Sequence, residues 1–169
     1  SHFLRPSSST VNDGNWHHIM CVYVPSTSMT IYIDGSQDAQ NTTTIPAAIN
    51  NNYGNITIGE GGGQYFDGNI DEVSIFNADQ STNITTLSTA PTIDLTSLNP
   101  IAWYRMGDNG AYKDPQWIMP SNENKDKVSN YSFEFDGMND YINIPNNTEL
   151  NFASAYSVSC WIKTTSIAL

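Results

Sequence analysis

Apolar positions along this chain alternate over short runs, which is typical of β-strands rather than helices. Residues 15–25 are apolar on both alternating faces, which predicts a strand covered on both sides in the middle of a sheet. Residues 29–34 alternate as a second strand, which Asp34 and Gly35 end because Asp-Gly is a strong turn dipeptide. Further short strands are predicted at 55–59, 69–77, 101–106, 132–135, 140–144 and 157–163.

Residues 79–87 give the only helical pattern, with an acidic first turn and with Ile84 and Leu87 three positions apart. A glycine-rich turn is predicted at 60–64, and residues 90–100, with two prolines, read as a connector. Strands separated by turn-rich segments, with one short helix, predict an all-β antiparallel sandwich.

Alternation also predicts which side chains form the core. Within 69–77, Ile70 and Phe76 fall on one face, and Val73 and Ile75 on the other. Three tryptophans in strands are assigned to the core: Trp16, Trp103 and Trp161. Cys21 and Cys160 lie in apolar strand runs and are interpreted as small buried residues, with a disulfide between distant strands as the alternative.

Composition narrows the function classes. The 169 residues suit one domain, and only 14% are charged, against roughly 25% in an average soluble domain. A formal net charge of −11 argues against binding nucleic-acid phosphates or an anionic membrane surface. No apolar run approaches the roughly 20 residues that would span a bilayer, so membrane insertion is not expected. The first residues show no signal peptide, which leaves the compartment open.

Four runs in the first part of the chain resemble the carboxyl half of a laminin G-like jelly roll, of the concanavalin A-like lectin/glucanase superfamily. They are Gly-Asn-Trp-His-His-Ile at 14–19, Ile-Tyr-Ile-Asp-Gly at 31–35, Ile-Thr-Ile-Gly at 56–59 and Phe-Asp-Gly-Asn-Ile-Asp-Glu-Val-Ser-Ile-Phe-Asn at 66–77. Their order and spacing make the match specific, whereas any one alone would be weak.

The second part resembles the amino half of the same module. The matching runs are Ala-Trp-Tyr-Arg-Met-Gly-Asp at 102–108, Phe-Glu-Phe-Asp-Gly at 133–137, Asp-Tyr-Ile-Asn-Ile-Pro at 140–145 and Ser-Val-Ser-Cys-Trp-Ile-Lys at 157–163. The carboxyl half (1–92) therefore precedes the amino half (93–169), either as a window across a tandem array or as a circular permutation. Because each half alone would leave an open edge and a bare apolar face, we expect them to pack as one incomplete concanavalin A-like jelly-roll sandwich.

Catalysis is not expected. Glucanases of this superfamily carry their carboxylates as Glu-x-Asp-x-Glu or Glu-x-Asp-x-x-Glu on one strand, and no such string occurs. Asp71 and Glu72 are adjacent, so regular alternation would direct them to opposite faces. The same argument separates His17 from His18.

Two sets of candidate site residues remain. The resemblance implies calcium as a candidate cofactor, held by carboxylates at strand ends, with turn capping as the alternative interpretation; these are Asp71, Asp108, Asp136 and Asp140. Aromatic side chains in loops could stack on sugars or pack over the sheet edge; these are Tyr53, Tyr65, Tyr112 and Trp117.

The sequence thus predicts a non-catalytic extracellular or virion-surface recognition module that binds a glycan or a surface protein through edge loops. Two alternatives stay open: a structural spacer repeat in a large surface protein, and an accessory domain of a glycoside hydrolase. Bare sheet edges also suggest a strand-exchanged homo-oligomer.

Overall fold

A computed structural model describes residues 9–49, 55–91, 93–106, 132–145, 150 and 154–166. The strands are β1 Trp16–Val24, β2 Ser28–Ile33, β3 Ser36–Asn41, β4 Ile56–Ile58, β5 Glu60–Gly61, β6 Gln64–Tyr65, β7 Asp67–Phe76, β8 Ala102–Tyr104, β9 Phe133–Asp136, β10 Ile142–Ile144 and β11 Tyr156–Lys163. One helix, α1 Ile84–Leu87, follows a 3-10 turn at Ser81–Asn83, and a second 3-10 turn spans Thr96–Leu98.

Seven of these strands form one antiparallel sheet, in which six follow the order β3-β2-β1-β11-β7-β8 and the seventh is β9. β8 and β9 pair with the same edge of β7. β9 lies opposite residues 67–70 of β7, and β8 lies opposite residues 73–75. β4 pairs with β10, and β5 with β6, in two short ribbons. The all-β antiparallel fold with one short helix is therefore confirmed.

Strands from both parts of the chain share the large sheet. β11 lies between β1 and β7, with Trp16 opposite Lys163 and Tyr23 opposite Tyr156. The division at 92/93 into halves of a known module stays a prediction, but the two segments are joined here by backbone hydrogen bonds of one sheet.

Apolar side chains gather on both faces of the sheet. Under α1 and the connector the cluster is Met20, Val22, Phe76, Leu87, Leu95 and Trp103. Under the β4–β10 ribbon it is Ile58, Ile70, Val73, Met106, Phe135 and Ile144. Among the described residues, the layer facing the large sheet on this second side is the two-stranded β4–β10 ribbon.

An irregularity in β7 overturns the predicted facing of its side chains. Glu72 has a φ of +51°, and the pairing of β7 with β11 shifts register at this point. Because one residue is out of alternation, Ile70 packs with Val73, whereas Phe76 joins the other cluster. The predicted grouping of Ile70 with Phe76 is therefore wrong.

Two core assignments are also wrong. Trp16 is 39% exposed, because it begins β1 at the edge of the covered region, although Trp103 is buried as expected. Cys21 is exposed rather than buried. Both cysteines are free, and the register places Cys21 opposite Val158 and Cys160 opposite Ile19. The two thiols are thus diagonal neighbours, a spacing longer than a disulfide normally bridges.

None of the helices formed by the described part of the chain has the length and apolar character needed to cross a bilayer.

Candidate functional site

A partly exposed pair of tyrosines marks the candidate site. Tyr65 ends β6, and Tyr141 immediately precedes β10. Their ring centroids are 6.5 Å apart with the planes at 41°, which is within the usual range for an aromatic pair. Tyr141 is 52% exposed and Tyr65 is half-buried. We call this region, with Met138, Asp136 and Asp140, the tyrosine edge.

Backbone and carboxylate hydrogen bonds shape the loop that carries Tyr141. Asp136 Oδ1 accepts from the Met138 amide at 2.9 Å, and Asp140 Oδ2 accepts from the Asp136 amide at 3.2 Å. The Gly137 amide donates to the Phe66 carbonyl at 3.1 Å, which fixes the loop beside Tyr65.

Gly137 is needed for this close approach. Its φ is +75°, and a Cβ at this position would lie 2.8 Å from the Cβ of Asp67. A larger residue would therefore be strained and would push the loop away from β7. The glycine of the Asp-Gly dipeptide thus positions one half of the tyrosine edge against the other.

Two further carboxylates lie on strands that pair with this edge. Asp67 lies opposite Asp136 in the β7–β9 pairing, and Glu60 lies opposite Tyr65 in the β5–β6 ribbon. Asp67 accepts from the Ser166 hydroxyl, and Glu60 Oε1 accepts from the Gly63 amide at 2.9 Å. The edge therefore combines aromatic surface with hydrogen-bond acceptors and negative charge.

The structure brings together three of the predicted site residues: Tyr65, Asp136 and Asp140. Asp71 lies elsewhere, since it is buried within β7 opposite Trp161, and its Oδ1 accepts from the Glu72 amide at 2.8 Å. Tyr53, Tyr112, Trp117 and Asp108 lie outside the described residues. Over the described ranges, no group of three or more His, Cys, Asp or Glu side chains is arranged to hold a metal ion. Calcium binding stays a prediction.

Sequence reasoning missed two members of the edge. Tyr141 was assigned to a strand over 140–144, whereas β10 begins at Ile142 and leaves the ring in the preceding turn. Met138, 71% exposed, follows the Asp-Gly turn directly. The signal that could have identified both is the Asp-Gly-x-x-Asp spacing at 136–140, which is a turn and not a strand.

A second polar cluster is buried on the face beneath α1 and the connector. Glu72, 4% exposed, accepts from Trp103 Nε1 at 2.5 Å and from Arg105 Nε at 2.8 Å. The Arg105 guanidinium also lies 4.9 Å from the centre of the Trp103 ring. Burial raises the pKa of Glu72 to about 7, against the lowering effect of both donors.

The irregularity at Glu72 also corrects the prediction that Asp71 and Glu72 face opposite sides. Asp71 lies opposite Trp161, and Glu72 lines a small cleft together with Trp161 and Ser159, so both belong to one side of the sheet. Leu87 and Leu95 cover this cleft. Since both oxygens of Glu72 accept a hydrogen bond, the carboxylate anchors β8 and is not positioned as a general base.

His18 occupies the same face. It is fully buried, and its Nε2 lies 2.6 Å from Ser159 Oγ, with the Trp161 ring 5.4 Å away in an edge-on arrangement. Burial lowers the pKa of His18 to about 4, so the imidazole is neutral at physiological pH. The Nδ1 atom has no hydrogen-bond partner among the residues that the structure describes. The geometry is that of a structural histidine.

His17 lies on the other side of β1 and joins two turns. Its Nδ1 is 2.7 Å from Asp34 Oδ2, and its Nε2 is 3.0 Å from Asp13 Oδ1. These bonds, led by that to Asp34, raise the pKa of His17. Both histidines of the Trp-His-His run therefore have structural hydrogen bonds.

The fold and the tyrosine edge define a class: an antiparallel β-sandwich with an aromatic, acidic loop edge. Residues 2–83 match a laminin G-like family model described as the concanavalin A-like lectin/glucanases superfamily. The match spans just under half of the chain and agrees with the resemblance predicted from the sequence. The comparisons with curated proteins and with solved structures gave no match.

Proposed function

We propose that this chain is a non-catalytic recognition module of an extracellular or virion surface, and that it binds glycans through the tyrosine edge. Laminin G-like domains are often carbohydrate- or protein-binding modules, are generally non-catalytic and are typically extracellular. That background supports the class of function. The ligand and the binding surface are our proposal.

The pairing of exposed Tyr141 with half-buried Tyr65 is the observation on which the proposal depends. A sugar ring has an apolar C–H face and a rim of hydroxyl groups. An exposed aromatic side chain buries the apolar face, while its polar tip and neighbouring acceptors take up hydroxyl donors. Asp136 and Asp140 supply acceptors within the same loop.

Calcium is a second element of the proposal. Asp136 and Asp140 are exposed carboxylates in one turn, the kind of oxygen ligand that calcium prefers. A calcium ion there would offset the negative charge of the edge and could itself take sugar hydroxyls as ligands. Binding should therefore be measured with calcium and again after chelation.

A glycan array probed with the whole chain tests the proposal. Tyr141→Ala should weaken binding to any glycan found by about tenfold, equivalent to ~1.4 kcal/mol. Phe133→Ala is the matched control, because Phe133 is also an exposed aromatic but lies at the opposite end of β9 from Asp136, where it pairs with Ile70. Tyr141→Phe separates stacking from hydroxyl bonding, since it keeps the ring.

Two results would count against this function. If no glycan binds above background with calcium present, the spacer-repeat alternative is favoured. If a glycan binds equally well to Tyr141→Ala and to the parent chain, the tyrosine edge is the wrong surface. An accessory role beside a glycoside hydrolase would give the same array result and is decided by the flanking sequence.

A further inference from the structure

The last three strands pair only with strands from the first part of the chain. β9 pairs with β7, β10 with β4, and β11 with both β1 and β7. Among the described strands, no two of these three pair with each other. We call residues 132–166 the donor segment and residues 9–91 the acceptor segment.

β11 fills a gap in the middle of the acceptor. Cys21 and Val22 of β1 lie opposite Val158 and Ser157, and the other edge of β11 pairs with β7 from Asn69 to Phe76. Without β11, β1 and β7 would present two unpaired edges of nine and ten residues.

The edge of β1 is not protected against foreign pairing. Natural sheet edges are usually guarded by proline, lysine, an inward-pointing charge or a bulge. β1 contains no proline, lysine, aspartate or glutamate, whereas β7 carries the buried carboxylates of Asp71 and Glu72 and an irregularity at Glu72. The edge of β1 is thus suited to pairing with a further strand.

We propose that two copies of this chain exchange their donor segments, so that each acceptor is completed by residues 132–166 of the other copy. All strand pairings and core contacts between donor and acceptor are identical in the closed monomer and in the exchanged dimer. The balance between them is therefore set by chain concentration and by the segment that joins donor to acceptor.

Exchange would divide the tyrosine edge between two copies. Tyr65 belongs to the acceptor, and Tyr141, Asp136 and Asp140 belong to the donor. Each edge of the dimer would then contain residues of both chains, and the dimer would present two such edges. This proposal does not depend on glycan binding, because it rests on strand pairing alone.

Disulfide trapping distinguishes pairing within a chain from pairing between chains. In the variant Ile19→Cys/Cys21→Ser, the new thiol lies directly opposite Cys160 across the β1–β11 pair. Directly opposite residues are within disulfide range. Cys21→Ser alone is the control, since it leaves Cys160 without a cysteine opposite. After refolding over a range of concentrations and oxidation, non-reducing electrophoresis and mass measurement report the product.

Exchange predicts a covalent dimer of twice 18.7 kDa. While the monomer dominates, the ratio of dimer to monomer should rise about tenfold for each tenfold rise in chain concentration during refolding. A cross-linked product that stays monomeric at every concentration overturns the proposal.

A second variant tests the same strand pairing at another position, so that the result does not depend on one disulfide forming. Val158→Cys/Cys160→Ala places a thiol opposite Cys21, two residues further along the same pair of strands. Both variants should give the same dimer. If neither forms a disulfide while both remain folded, β11 does not lie beside β1 in solution, and the proposal is also overturned.

Discussion

Two buried titratable groups on one face of the sheet should give opposite pH dependences of stability. Glu72 has a raised pKa and His18 a lowered one, and burial is the leading cause for both. Replacing either residue by a neutral one should leave only the pH dependence of stability that the other residue contributes. In the parent chain the two effects should nearly cancel, so that its free energy of unfolding changes little with pH.

The Glu72 contribution falls as pH rises. Its pKa moves from 4.5 in the unfolded chain to about 7 in the fold, so the folded state binds more protons between these values. The stabilisation is complete below pH 4.5 and is lost as pH rises through about 7. With about 1.4 kcal/mol per pH unit, the total is about 3 kcal/mol.

The His18 contribution has the opposite sign. Its pKa falls from 6.5 in the unfolded chain to about 4 in the fold, so the unfolded state binds more protons in this range. The stabilisation is complete above pH 6.5 and is lost as pH falls through about 4. Its total is again about 3 kcal/mol, which nearly cancels the Glu72 effect between pH 4.5 and 6.5.

Urea unfolding followed by tryptophan fluorescence at several pH values from 4 to 8 measures both effects. Glu72→Gln should give a free energy of unfolding that rises from pH 4.5 to 6.5, and His18→Gln one that falls. The slope is the diagnostic quantity, because Glu72→Gln also removes the ion pair of Arg105 and so lowers the overall level. Glu134→Gln, at an exposed site, controls for the loss of one negative charge.

Parallel pH profiles for Glu72→Gln and the parent chain would refute this reasoning. They would show that the pKa of Glu72 is the same in the folded and the unfolded chain, contrary to the effect expected from its burial. A flat profile for both single variants would refute it equally, because their slopes must differ in sign.

Two further stability predictions can be checked by urea unfolding. Gly68→Ala should lower the free energy of unfolding by at least ~2 kcal/mol, because φ is +145° and the new methyl group would collide with the Lys163 carbonyl. Gly61→Ala is the control: Gly61 faces open space, so this change should alter the free energy of unfolding by less than ~0.5 kcal/mol. His17→Asn should cost most below pH 6.5 and progressively less at higher pH, since the raised pKa of His17 makes its pairing with Asp34 a low-pH stabilisation. A cost that grows with pH would contradict the assignment.

Local patterns predicted where the strands lie because the period of apolar positions is a property of adjacent residues. The predicted strand over 157–163 appears as Tyr156–Lys163, and the predicted helix over 79–87 contains Ile84–Leu87. β3, Ser36–Asn41, was missed since five of its six residues are polar. Only pairing with β2 makes that segment a strand, and pairing partners are not visible in the segment itself.

The candidate site was predicted in part for the same reason. Tyr65 was chosen as an aromatic side chain in a loop, and Asp136 and Asp140 as carboxylates at strand ends, and the structure places the three at one edge. Tyr141 was missed because an aromatic residue beside Ile142 fits the strand pattern as well as the turn. Which interpretation holds depends on where β10 meets β4, a contact between distant parts of the chain.

The facing of β7 shows where alternation itself fails. A single positive φ at Glu72 moves its carboxylate to the side of Trp161 and places it between Trp103 and Arg105 of the neighbouring segment. A regular strand could not have made both bonds while Ile70 and Val73 faced the other cluster. The irregularity therefore lets β7 bond Trp103 and Arg105 through one carboxylate while its apolar side chains pack on the other face, and the buried carboxylate costs stability near neutral pH.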